Sequence, residues 1–163
     1  MANNIKVSLI KSQNGDLVLD VDQKGTSHVL CRLGAQDIHW KLVEDQPTHQ
    51  SLGWEPMGTS RPGFVWITTP PDGYFDEPTI GSGNNSKQLT MRAHHLTQAS
   101  TGCWIYMLRI RDLISQKVYS TTVSATSAVD PNPQGRCGDD PAPQGTNVTL
   151  AVRVSDNPII INR

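Results

Sequence analysis

Trp104-Ile105-Tyr106-Met107-Leu108-Arg109-Ile110-Arg111 is the stretch that decides the fold. Trp104, Tyr106, Leu108 and Ile110 alternate with a second row that ends in Arg109 and Arg111. Successive side chains of a strand point to opposite faces, so this is the pattern of a half-buried β-strand. The stretch fixes a strand and supplies no catalytic signature.

The same alternation recurs outward from it, with turn residues between. Ile5, Val7 and Leu9 alternate, Asn14-Gly15 supplies a tight turn, and Leu17, Leu19 and Val21 alternate again, which predicts a β-hairpin. Short strands are predicted over residues 28–33, 37–43 and 64–68, with Ile38, Trp40 and Leu42 on one face of the second. Longer ones are predicted over 88–96 and 102–111, followed by 117–124 and 147–154. Residues 44–63 carry Pro47, Gly53, Pro56, Gly58, Pro62 and Gly63, which precludes a continuous strand or helix and predicts a long connection. Pro70-Pro71-Asp72-Gly73 is a sharp turn. A hexapeptide then occurs twice, as Asp130-Pro-Asn-Pro-Gln-Gly135 and Asp140-Pro-Ala-Pro-Gln-Gly145, within an irregular Pro/Gly/Asp-rich loop spanning residues 125–146.

About nine or ten strands and no amphipathic segment long enough for a convincing helix favour an all-β, antiparallel two-sheet sandwich. Residues 1–163 are expected to form a single domain, since a chain of this length buries enough surface to need no covalent staple. Trp104, Trp40 and Trp66 are the expected fillers of the space between the sheets.

Fourteen basic against fifteen acidic residues leave a formal net charge of -1. No general field therefore exists to hold a phosphate backbone or an anionic membrane, and nucleic-acid binding is disfavoured. The opening Met1-Ala-Asn-Asn-Ile-Lys6 lacks the basic region and apolar run of a secretory signal, and no run has the length of a membrane span. The expectation is a soluble, cytoplasmic protein with no membrane association. Cys31, Cys103 and Cys137 are odd in number and widely spaced, which fits neither a disulfide framework nor a zinc site. Cys31 and Cys103 are expected to be buried thiols.

The candidates for chemistry are few. His94, His95, Cys103 and Met107 are the ligand types of a copper sandwich, but no histidine follows Cys103, and adjacent strand residues cannot both ligate one ion. Asp130, Asp139 and Asp140 share an oxygen-rich loop of the kind calcium takes, though Asp before Pro is also an ordinary turn initiator. No nucleophile elbow, readable Cys/His pair or flanked pair of acids is present, so the reading leans to a non-enzyme without a cofactor, with an enzyme built from scattered polar residues and no recognisable motif as the third alternative. Trp54 in a Pro/Gly-rich loop, and Tyr74 beside Phe75, Asp76 and Glu77, are the residues that could stack on and hydrogen-bond a sugar. Arg92, Arg109, Arg111 and Arg153 all fall on outward rows of their strands. Were those strands neighbours, an arginine stripe would cross one sheet and recognise an anion or a partner.

Ile38-x-Trp40-x-Leu42, Tyr106-x-Leu108-x-Ile110 and the ending Asn157-Pro158-x-Ile160-x-Asn162 together resemble a group of small bacterial β-sandwich proteins that close on Asp-Pro-x-Ile-x-Asn. Asn157 stands where that group has an acid, and residues 130–145 look like an insertion. The resemblance implies an immunoglobulin-like or cupredoxin-like sandwich and brings no activity with it. The first functional expectation is a non-enzymatic binding or self-assembly module, with Ile159-Ile160-Ile161 pairing with a sheet edge of its own or a neighbouring subunit. A homo-oligomer or a protein partner follows from that. The alternative is a carbohydrate-binding, lectin-like domain, calcium-assisted through the loop aspartates.

Overall fold

A computed structural model describes residues 2–22, 29–44, 51–121 and 158–163. The predicted hairpin is β1 (Ala2–Lys11) and β2 (Leu17–Asp22), paired from Lys6↔Asp22 to Lys11↔Leu17. Gly15 makes the turn at φ +83°, a conformation that L side chains rarely adopt. After β3 (Val29–Cys31) comes β4 (Gly34–Leu42), whose Ile38, Trp40 and Leu42 all face the core as the alternation requires.

Residues 44–63 hold a strand that their prolines and glycines hide, β5 (Leu52–Trp54). Leu52 and Trp54 both reach the core, and the strand hydrogen-bonds along residues 110–112, so tertiary pairing overrides the weak local preference. Next are β6 (Phe64–Trp66), β7 (Thr79–Ile80) and β8 (Gln88–His95), then β9 (Gly102–Asp112), β10 (Val118–Ser120) and β11 (Ile159–Asn162). Two three-residue 3-10 turns are the only helical elements among the described residues. The predicted strand over 147–154 and the loop of residues 125–146 lie outside the described residues.

The fold is all-β and two-sheeted, as expected, but the sheets are mixed rather than purely antiparallel. One runs in the order β2-β1-β4-β8-β7; the other runs β10-β9-β11-β3, with β5 and β6 also on β9. β1 lies parallel to β4, and β11 lies parallel to β3. Side-chain alternation carries no information about strand direction, which is why the sequence could not reveal these pairs. β11 sits between β9 and β3 of its own chain with all four residues buried, so of the two pairings expected of the isoleucine tail it makes the internal one.

The core lies between the sheets. Ile5, Val7, Leu9, Ile38, Trp40, Leu89 and Met91 come from the first; Leu52, Phe64, Tyr106, Leu108, Ile110 and Ile160 come from the second. A second cluster of Cys103, Ile105, Ile159 and Ile161 covers the other face of the second sheet. The start of β9 is therefore buried on both faces, and true alternation begins only after Tyr106. Trp104 is buried too, but its ring meets Tyr74 at 5.7 Å and Phe75 at 5.5 Å, away from the centre it was expected to fill.

At that centre Trp40 of the first sheet donates its Nε1–H to the Tyr106 hydroxyl of the second over 2.9 Å, with both side chains fully buried. Burial raises the Tyr106 phenol above its ordinary pKa, which keeps the hydroxyl neutral. Tyr106→Phe preserves the ring and removes the acceptor, stranding a buried indole N–H. Urea unfolding of that variant should show a loss of about 1–3 kcal/mol, the desolvation penalty of an unpaired buried donor; unchanged stability would mean that the bond contributes nothing.

Candidate functional site

A groove of about 320 Å³ is bounded by Met57, β6 and residues 69–78, at the lower end of the size range of ligand pockets. β6 forms one wall because it pairs with β9 on one side only, through Phe64↔Leu108 and Trp66↔Tyr106. The opposite wall is held by the other sheet. Gly73 turns the chain at φ +86°, then Tyr74 O accepts from His94 N at 2.8 Å, Phe75 bridges Ala93, and Asp76 N donates to Arg92 O at 2.9 Å. The groove thus opens where the chain crosses from the second sheet to the edge of the first.

Its floor is aromatic. Trp66 and Phe75, both half-buried, meet at 5.1 Å, and Trp66 leans edge-on against Phe64 at 4.9 Å. Asp72, Asp76 and Glu77 line the same groove and are exposed. Asp76 is held by His94, whose Nε2 lies 2.8 Å from Oδ1. The neighbouring His95 points to the opposite face, as strand geometry demands. It is fully buried, with Nδ1 2.6 Å from Ser100 Oγ and Nε2 2.9 Å from Arg163 O. The Ser100 hydroxyl donates to Thr97 O, and Asn162 of the closing motif donates to Ser100 O, so this buried network ties the end of β8 to β11.

The aromatic residues singled out from the sequence are placed differently from Trp66 and Phe75. Trp54 is in the core at 7% exposure, and its Nε1–H donates to Lys87 O. A tryptophan two residues from a Gly/Pro run reads as a loop tip; pairing with β9 turns it inward. Tyr74 is half-buried, its hydroxyl donating to Ala99 O and its ring set against Trp104, so it contributes to the scaffold of the groove and not to its lining. Trp66 was legible only as a core residue. Its exposed face follows from the open side of β6, which no local pattern encodes.

The arginines divide between the sheets. Arg92 is on β8 and pairs with Asp37 across the β4–β8 register at 2.8 Å. Arg109 and Arg111 are on β9 in the other sheet, so the expected stripe across neighbouring strands does not form among the described residues. Arg153 lies outside them, as do Asp130, Asp139 and Asp140. Arg111 forks onto Glu55, with Nε 2.7 Å from Oε1 and Nη2 3.2 Å from Oε2. Glu55 was missed in the sequence because it is brought to β9 by a pinched loop: a Cβ on Gly63 would lie 2.6 Å from Glu55 O. The Arg111 hydrogen bonds hold the Glu55 carboxyl below its ordinary pKa of 4.5 against the opposing effect of burial, helped by the charges of Arg111, Arg61 and Arg109.

Among the described residues, no group of three or more His, Cys, Asp or Glu side chains is placed to hold a metal ion, and no helix is long and apolar enough to cross a membrane. Cys31 is free and fully buried, and burial pushes its thiol up to about 12, which keeps it protonated and unreactive. Cys103 is buried as expected but is disulfide-bonded, a correction to the thiol read from spacing alone. No protein-family model, curated protein or solved structure matches the chain.

The Glu55–Arg111 fork makes stability depend on pH. A carboxylate whose folded pKa is depressed stabilises fully above its ordinary value and loses that contribution as pH falls through the folded value. Thermal unfolding of wild type and Arg111→Ala should differ most near neutral pH and converge as pH drops below 4.5. A gap that stays constant from neutral to acid would show that the fork is not what separates them.

Proposed function

We propose that this chain is a non-enzymatic binding module that takes a neutral or amino sugar in the groove between β6 and residues 69–78. The observation that carries the proposal is the pairing of two half-buried aromatic rings, Trp66 and Phe75, with three carboxylates along one groove. A pyranose has an apolar C–H face and a rim of hydroxyls. Aromatic faces match the first, and carboxylates accept charge-assisted hydrogen bonds from the second. Asp76 is oriented by His94 through Oδ1, leaving Oδ2 to accept from a hydroxyl. The same three negative charges repel uronic and sulfated sugars.

The module reading suits a β-sandwich of the kind expected from the sequence. Immunoglobulin-type sandwiches are built from antiparallel sheets, so the parallel pairs β1–β4 and β11–β3 favour the cupredoxin-like alternative. The disulfide at Cys103 supports an oxidising compartment over the cytoplasm.

A glycan array followed by calorimetry tests the proposal. Trp66→Ala and Phe75→Ala should each weaken binding of any positive glycan about tenfold, the factor that loss of one ring contact gives. Asp72→Asn with Glu77→Gln should weaken it further, while Arg92→Ala, outside the groove, should leave it unchanged. An array without a positive glycan, or affinity indifferent to Trp66→Ala, would overturn the assignment.

A further inference from the structure

A second surface carries an excess of positive charge that the sugar reading does not use. Arg109 and Arg111 stand two residues apart on β9 and so share a face, and the loop between β5 and β6 returns to them. That return is fixed by main-chain bonds: Glu55 N donates to Arg109 O at 3.3 Å, and Arg109 N donates to Gly63 O at 2.9 Å. Gly63 lets the two limbs of the loop touch, as the 2.6 Å approach of a Cβ there to Glu55 O makes plain. The loop carries Glu55 and Arg61 to the same place, and Arg61, Arg109 and Arg111 all act on the Glu55 carboxylate.

One guanidinium, that of Arg111, therefore grips the Glu55 carboxylate, while the charges of Arg61 and Arg109 reach it without contact, and the three are not equally engaged. Arg111 is committed: Nε and Nη2 hold Glu55, and Nη1 donates to Gln116 O and Oε1 at 3.3 Å. Glu55 is 8% exposed and satisfied by that fork. Among the described residues, Arg109 has a single side-chain hydrogen bond, to Pro62 O at 3.2 Å, and no carboxylate within ion-pair distance; Arg61 is exposed and has no ion pair. A guanidinium presents five donors. Most of those on Arg61 and Arg109 have no acceptor among the described residues.

We propose that Arg61 and Arg109, backed by Arg111, form a binding site for a tetrahedral oxyanion, phosphate or sulfate, free or as the monoester of a small molecule. Arg109 is oriented by Pro62 O and by the register of β9, and Arg61 lies on the loop whose Gly63 is bonded to Arg109. Glu55 holds Arg111 in place and limits the local excess to two positive charges, matching a dianion. The guanidinium fork suits oxygens of this geometry better than a lysine would. The site is separate in ligand and in side chains from the acidic groove, and the two share only the loop, through Arg61 here and Met57 there.

Calorimetric titration of the full chain at low ionic strength, about 0.01 M so that screening is weak, tests the site with inorganic phosphate, inorganic sulfate, a sugar phosphate and a sugar sulfate, with acetate as the singly charged control. Saturable one-to-one binding of at least one dianion, and tighter than acetate, is expected. Arg109→Ala and Arg61→Ala should each weaken it about tenfold, whereas Arg92→Ala, a paired arginine on the other sheet, should have no effect. Glu55→Gln should tighten binding by removing the competing charge; if that variant fails to fold, the two arginine variants decide alone, with circular dichroism confirming their fold. Tighter binding of an ester than of the free ion would name the ester as the source. Absence of saturable binding, or equal weakening by Arg92→Ala and Arg109→Ala, would overturn the proposal. Neither result bears on glycan binding in the groove.

Discussion

The hydrogen bond from Trp40 Nε1 to the Tyr106 hydroxyl is the constraint around which the molecule is arranged. It joins the two sheets at their middle strands, and a buried polar pair can be satisfied at one relative placement of those strands only. Phe64 stacks on Tyr106 at 5.1 Å with its plane tilted by 10°, and tilts onto Trp40 at 5.4 Å. From there Trp66 and Phe75 continue an unbroken series of ring contacts out to the groove. The groove is the outer end of that series. Its aromatic floor is held by the same packing that holds the sheets together, so its shape is set before any ligand arrives.

β9 supplies the second organising element. Four strands pair with it: β11 along its first residues, β6 in the middle, and β5 and β10 at its far end. Because β5 and β6 are short and lie on the same long strand, the loop between them must fold back over β9. That requirement bonds the ends of the loop to Arg109 and sets Glu55 against Arg111, with Arg61 carried on the same loop. The acidic groove and the arginine cluster are thus two consequences of one topological fact, and their opposite charges suit them to ligands of different kinds.

The strands themselves were readable because alternation in β1, β2, β4, β8 and β9 is strong and the β1–β2 turn carries Gly15. The two parallel pairings were not, since direction leaves no mark on a two-residue period. β5 was hidden by flanking prolines and glycines, whose local preference was outweighed by core contacts of Leu52 and Trp54. For the candidate groove, the sequence singled out Tyr74 beside Phe75, Asp76 and Glu77, but the ring that lines it is Phe75, and its partner is Trp66 from another sheet. Arg109 and Arg111 were correctly set on the outward row; Arg92 shares their pattern and belongs to a different sheet.

By itself, then, the sequence determined the class of the fold, the faces of its strongest strands and the absence of any recognisable catalytic motif. These are local properties, fixed by which side chains alternate and where the chain must turn. Only the tertiary structure decided which aromatic rings stay buried, which carboxylates share a groove and which arginines share a surface. Those depend on contacts between residues far apart in the chain, as between Glu55 and Arg111 or Trp66 and Phe75. Such contacts are settled by strand order and the closure of loops, and one-dimensional periodicity does not encode either.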